Sequence, residues 1–140
     1  MDMPILAVSM HDHMEPCTEL EGALEDLSVE VYTVKRCSEA RDLIAKYQPL
    51  LLFVDLNVWK QSHDEIVSMA VAADQTFNVI VVGSLPDIEQ YVSAIEHGAF
   101  NFVAPPFARD VLALVVYTAA LDARDRRRSL SRAPLSQAWK

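Results

Sequence analysis

Glycine and cysteine are scarce in this chain, and each scarcity excludes a class of chemistry. Three glycines in 140 residues leave no G-x-G-x-x-G loop, no G-x-x-x-x-G-K loop and no nucleophile elbow, so the glycine-dependent ways of cradling a phosphate or exposing a catalytic serine are missing. No enzymatic activity is expected. Cys17 and Cys37 stand apart with no C-x-x-C pair, which argues against a disulfide framework or a zinc knuckle. Apolar runs of the roughly 20 residues that a membrane helix needs are also absent. The start, Met1-Asp2-Met3-Pro4, lacks the basic n-region of a signal peptide. A cytoplasmic protein without membrane contact is the expectation.

What is present is apolar mass and acid. Hydrophobic residues make up 51% of the chain, enough for one folded domain with a full core. The net charge of −8 is unevenly spread: residues 1–120 carry 18 acids against 6 bases, and residues 121–140 carry 6 bases against 2 acids. An acidic body repels nucleic acid, so no direct nucleic-acid partner is expected. The segment Arg124-Asp125-Arg126-Arg127-Arg128, with Arg132 beyond it, reads as a solvated helix end and tail, because cations near a helix C-terminus are favourable. Contact with an acidic partner or phosphates is the alternative.

The stretch Leu50-Leu51-Leu52-Phe53-Val54-Asp55-Leu56-Asn57 organises the rest. Its unbroken apolar run suits a central parallel strand covered on both faces. An acid at the carboxyl end of such a strand lies where open α/β sheets place their ligand sites. The competing reading is that Asp55 caps the helix that follows. Pro4 to Val8 is a first strand, ending in Ser9-Met10-His11-Asp12-His13, and Leu20, Ala23, Leu24 and Leu27 recur at helical spacing after it. Val29, Val31 and Thr33 mark a second strand nearer an edge, and Ser38 is a candidate cap for a helix that Pro49 stops. Histidines in such a loop as 11–13 are expected to face solvent. A loop from Val58 to Ser62 is expected after the third strand, then a helix through Ile66 to Ala73. Val79 to Val82 is a fourth strand closed by Gly83-Ser84, Pro86 suits the first turn of the next helix, and Phe100 to Val103 is a fifth strand. A last helix runs from about Ala108 to the arginines. The pattern predicts a doubly wound, flavodoxin-like α/β fold, five parallel strands and five helices in three layers. It divides the chain into a domain over 1–122 and a basic helix end with an irregular tail or linker over 123–140.

The run Phe53-Val54-Asp55-Leu56-Asn57, the segment Asp87-Ile88-Glu89 through Gly98-Ala99-Phe100-Asn101-Phe102, and Pro106-Phe107 are similar to motifs of response-regulator receiver domains, the phosphoacceptor half of two-component systems. The resemblance covers about residues 4–122. It implies that Asp55 is the phosphoacceptor, charged by a histidine kinase or phosphotransfer protein, and that the domain signals to an output domain or partner protein. It also implies an acidic pair holding Mg²⁺ after the first strand, a Thr or Ser ending the fourth, an aromatic in the fifth, and a Lys before the last Pro-Phe.

The chain departs from that pattern at four positions. Ser9 and Met10 stand where the acidic pair belongs, Pro105 where the Lys belongs, and Gly83 at the Thr/Ser position, with Ser84 adjacent as a possible source of the hydroxyl that would meet a phosphoryl group. Phe102 matches the aromatic switch position, and Gly83 and Phe102 are the candidate switch residues. Mg²⁺ demands oxygen ligands in near-octahedral geometry, which Met10 cannot supply; a working site would need Asp12, Asp55 and the Asn57 carbonyl. The alternative for His11-Asp12-His13 is a transition-metal site shared with Asp55. The expected function is therefore a receiver-like signalling domain in a phosphorelay with an impaired catalytic surround. Mg²⁺ is its cofactor if the site works, and there is none otherwise. The alternative is a phosphorylation-independent pseudo-receiver serving as an interaction or dimerisation module. The last helix is apolar nearly all round, at Val111, Leu112, Leu114, Val115, Val116 and Tyr117. That favours a homodimer or partner face made by the fourth helix, fifth strand and fifth helix, with Tyr91, Ile95, Val111 and Val115 on it.

Overall fold

Strands and helices alternate without exception along the chain. The computed structural model describes residues 4–74 and 76–138, with side chains up to Leu130; Met1 to Met3 and the side chain of Arg132 lie outside that range. The elements are β1 (Ile5–Met10), α1 (Glu15–Asp26), β2 (Val29–Val34), α2 (Cys37–Tyr47), β3 (Leu51–Asp55), α3 (Leu56–Ala72), β4 (Asn78–Val82), α4 (Ile88–Glu96), β5 (Asn101–Val103) and α5 (Arg109–Ala138). The strands form one parallel sheet in the order β2-β1-β3-β4-β5. β3 and β4 are buried at every residue, which is why their sequences run apolar without alternation.

The period of two along each strand sorts the core into two layers. Ile5, Ala7, Leu51, Phe53, Ile80 and Val82 pack with α1 and α5. Val8, Met10, Leu52, Val54, Val79 and Val81 pack with α2, α3 and α4.

Several boundaries differ from the sequence expectation, each for a local reason. Helix α2 begins at Cys37 and not after Ser38; Arg36 is the N-cap residue, and Glu39 Oε1 accepts from the Lys35 and Arg36 N–H groups at 3.1 Å each. Pro86 lies outside α4, because the Asp87 carboxylate takes the cap, accepting from Glu89 N–H at 3.0 Å and Gln90 N–H at 3.3 Å. The expected loop from Val58 to Ser62 is helical: α3 starts directly at Leu56, and the only trace of a break is Ser62, at φ −133° and ψ 17°. No glycine or proline interrupts this stretch, and Trp59 is buried against the core, so burial favours the turn over a loop. At the other end the α5 backbone stays helical to Ala138, through a segment expected to end as an irregular tail or linker.

Candidate functional site

Parallel strands bring all their carboxyl ends to one edge, and Asp55 closes β3 in the middle of it. Its neighbours there are β1, in register Phe53↔Ser9 and Val54↔Met10, and β4, with Asp55 opposite Val82. Asp55 is only 4% exposed. Its Oδ2 accepts a hydrogen bond from Asn57 N–H at 3.0 Å, capping α3. An aspartate in this position satisfies one of the orphan donors of a helix start. Asn57 is thereby fixed in the first helical turn. Close by, Cys17 is fully buried; burial first, then the negative charges of Asp55 and Glu21, push its thiol up to about 12.

The three residues after β1 diverge. His11, expected to face solvent, is buried at 3% exposure. Its Nδ1 accepts Met14 N–H at 3.1 Å, which leaves Nε2–H to donate to Glu21 Oε2 at 2.7 Å; Thr33 Oγ1 donates to the same oxygen at 3.1 Å. This network ties the β1–α1 loop to both flanking elements, and the loop hides the imidazole because its backbone N–H needs an acceptor. Asp12 and His13 point outward, 73% and 83% exposed, and the Asp12 carboxylate lies 3.7 Å from Lys35 Nζ. Among the described residues no three His, Cys, Asp or Glu side chains are grouped closely enough to hold a metal ion. Asp12 is thus not grouped with Asp55, whereas Asn57 meets it through its backbone N–H.

At the end of β4, Gly83 is buried beneath the ring of Phe102, itself 9% exposed. A Cβ at Gly83 would lie 2.5 Å from Phe102 Cζ, so the inward ring occupies the volume a larger residue would fill. Ser84 is exposed just beyond. On the outer side of the ring an open groove of about 370 Å³ runs between Pro86, Asp87, Ile88, Tyr91, Phe102 and Ala104.

No protein-family model matches the chain. A curated relative, nitrogen assimilation regulatory protein NtrX of Azorhizobium caulinodans, is 29% identical over 110 residues, 76% of this chain; the chain spans only 24% of that protein's length. The solved receiver domain of NtrX from Brucella abortus has a TM-score of 0.64 at 28% identity and covers 81% of this chain and 97% of its own. A beryllofluoride-activated NtrC4 receiver-domain dimer has a TM-score of 0.65 at 19% identity, over 84% of this chain and 98% of that one, a likeness of fold alone. The chain has the fold of response-regulator receiver domains. A receiver role in two-component signalling goes with that fold and with the NtrX likeness.

The residues of this receiver domain do not fit Mg²⁺. Besides the Asp55 carboxylate, already engaged by a backbone N–H, the crevice holds Ser9, whose buried Oγ has no hydrogen-bond partner among the described residues. Met10 is buried in the apolar layer under α2, α3 and α4. One carboxylate and one neutral hydroxyl supply less negative charge than the acidic pair and phosphoacceptor that the resemblance implies for Mg²⁺.

The face built by α4 and α5 is apolar and open. Tyr91 and Ile95 are 40% and 37% exposed and Val111 is 63% exposed. Val115, placed on this face by its sequence pattern, is half-buried and packs against the α1 and α5 core layer; Leu114, Tyr117 and Leu121 take its place outside. Where α3 meets α4, the Trp59 ring lies 5.7 Å from His63 and His63 meets the His97 ring edge-on at 4.6 Å, a contact between two histidines that showed no pattern in sequence.

Two arginines of the basic run, Arg126 and Arg127, are not solvated tail residues. Arg126 donates to Asn78 Oδ1 at 2.6 Å and pairs with Asp122, and Arg127 donates to the carbonyls of Thr76, Gln48 and Pro49. Sequence reading missed these roles. The available signal was Asn78, a polar residue at the head of an otherwise apolar strand.

Proposed function

We propose that this receiver domain is a phosphorylation-independent pseudo-receiver, an interaction and dimerisation module of two-component signalling in which Asp55 serves as a helix cap. The observation that carries the reading is the surround of Asp55: it is buried, its Oδ2 caps α3 through Asn57 N–H, and no group of three acidic, histidine or cysteine side chains gathers there among the described residues. Phosphoryl transfer depends on positioning and on neutralising the charge of the transferred group. Ser9, Met10, Gly83 and Pro105 supply no such charge. The module catalyses no reaction, needs no Mg²⁺ and works in the cytoplasm; no helix among the described residues is long and apolar enough to cross a membrane. Its partner is a second copy, met through α4, β5 and α5, and its signal passes to an output domain or partner protein. The exposed stripe on α5 and the dimer formed by the NtrC4 receiver domain support that arrangement.

The second reading keeps Asp55 as acceptor for a histidine kinase or phosphotransfer protein, with Ser84 beside the phosphoryl group. It is favoured by one feature, an acid retained at the end of β3 in the sheet crevice. Intact-mass spectrometry after incubation with a small phosphodonor and Mg²⁺ separates the two. The pseudo-receiver gains no phosphoryl mass, and Asp55→Asn, which can still cap α3, leaves self-association unchanged. Phosphoryl mass on the parent chain that Asp55→Asn abolishes would establish the second reading.

A further inference from the structure

Helix α5 has two apolar faces, and hydrophobicity alone does not choose between them. Toward the sheet it presents Leu112, Val116, Ala119, Ala120 and Ala123, all at 2% exposure or less. Val111, Leu114, Tyr117 and Leu121 are 63%, 68%, 44% and 51% exposed. At about 100° of turn per residue, the two sets centre on nearly opposite sides of the helix. The outward set is the bulkier: four large side chains against a leucine, a valine and three alanines. Burial is favourable roughly in proportion to apolar area, so that term by itself would turn the helix over. The inward alanines permit close approach but leave a smooth surface with little to resist rotation or sliding.

Polar groups at the opposite edge of the sheet from Asp55 break the tie. Asn78, the buried first residue of β4, donates through Nδ2 to the Ala119 carbonyl at 2.8 Å and to Asp122 Oδ2 at 3.0 Å. Its Oδ1 accepts from Arg126 Nη2 at 2.6 Å, and Arg126 Nη1 closes the ring onto Asp122. One residue further, Arg127 donates through Nε to the Thr76 carbonyl at 3.0 Å, and through Nη2 to the Gln48 and Pro49 carbonyls at 2.8 Å each. The Asn78 hydrogen bond, with help from Arg126, holds the Asp122 carboxyl below its usual range, and burial lowers Arg127. Turning or sliding α5 would pull all these partners apart at once and orphan a buried amide.

We propose that Asn78, Asp122, Arg126 and Arg127 form a polar lock that selects which apolar face of α5 packs on the sheet, and so keeps the Val111–Leu121 stripe outward. Fixing register is the best-attested service of polar groups within helix packing. The lock sets the orientation of α5 without any contribution from Asp55. That the outward stripe then meets a partner rests on the proposed function; the lock itself does not.

Thiol labelling of the full chain reads the orientation directly. In a Cys37→Ala background, where Cys17 is buried, Leu114→Cys reports the outward face and Ala120→Cys the inward one. With the lock intact, and at a dilution where the chain is monomeric, the outward thiol should label on the order of a hundredfold faster, because the inward one waits for local opening. Adding Asn78→Val, Arg126→Gln and Arg127→Gln should cut that contrast at least tenfold while the far-UV circular dichroism is kept. An unchanged contrast in the folded variant overturns the lock. If the combined variant does not fold, Arg126→Gln with Arg127→Gln, which leaves the core intact, is read by the same two outcomes. Self-association is measured alongside: a parent chain that stays monomeric while the contrast collapses supports the lock and overturns only the partner-face reading.

Discussion

At the carboxyl edge of the sheet one carboxylate sits beside an unpartnered hydroxyl, a glycine and a ring; at the amino edge four polar side chains from β4 and α5 bond to one another and to four backbone carbonyls. Immediately around Asp55, setting aside the His11–Glu21–Thr33 network of the β1–α1 loop, the crevice where this fold places chemistry is thus poorer in polar contacts than the opposite edge. Polar density in a receiver domain therefore tracks what must be held in place as readily as what must react.

The sharpest way to break this comparison is at Asn78. Asn78→Leu strips the amide from a buried network and should cost about 2–3 kcal/mol, the range for unpaired buried partners, as read from urea denaturation. A cost near zero would equate the two edges. Gly83→Ala comes next, at about 1–2 kcal/mol of overpacking, because its Cβ meets the Phe102 ring. Phe102→Leu in the same chain should recover most of that loss, and a double-mutant cycle measures the recovery. Asp55→Ala should cost about 1 kcal/mol through the lost cap while Asp55→Asn costs a few tenths at most; equal losses would deny the cap.

The acid limb tests the amino edge without touching the core. Because the folded Asp122 carboxyl is lowered, its contribution is present above the unfolded value of about 4 and fades as pH falls through the lower folded one. Denaturation midpoints between about pH 5 and 2 should therefore drop less steeply for Asp122→Asn than for the parent. The effect is small, since Asp122 is 42% exposed and water screens it. Smallest of all is Ser9→Ala, expected within about 0.5 kcal/mol of zero or slightly stabilising, as removal of an unsatisfied buried hydroxyl should be.

The sheet was legible from sequence because each strand announces itself locally: β3 and β4 by unbroken apolar runs, β2 by partial alternation at an edge. Asp55 was legible as an acid at a strand end, and capping was one of its two readings. The helix it starts was not legible, since residues 56–62 carry neither a stop nor a strong apolar period, and the burial of Trp59 that favours their turn is a tertiary event. His11 was misplaced for a related reason: its partner, Glu21, lies a helix turn or more into α1. The lock was out of reach, because all its bonds except the local Asp122–Arg126 pair join residues 41 to 79 apart in sequence, and an i,i+4 pair alone does not distinguish Arg126 from a solvated arginine.

The ring contact between α3 and α4 gives the domain an optical gauge. Trp59 is buried beside His63, which touches His97 at the end of α4. An imidazole can quench a neighbouring indole, so with Trp139 replaced by Phe the emission of Trp59 registers the setting of His63, which the His97 contact ties to the end of α4. Any partner or ligand that shifts α4 relative to α3 would then announce itself as a change in brightness, with no label added.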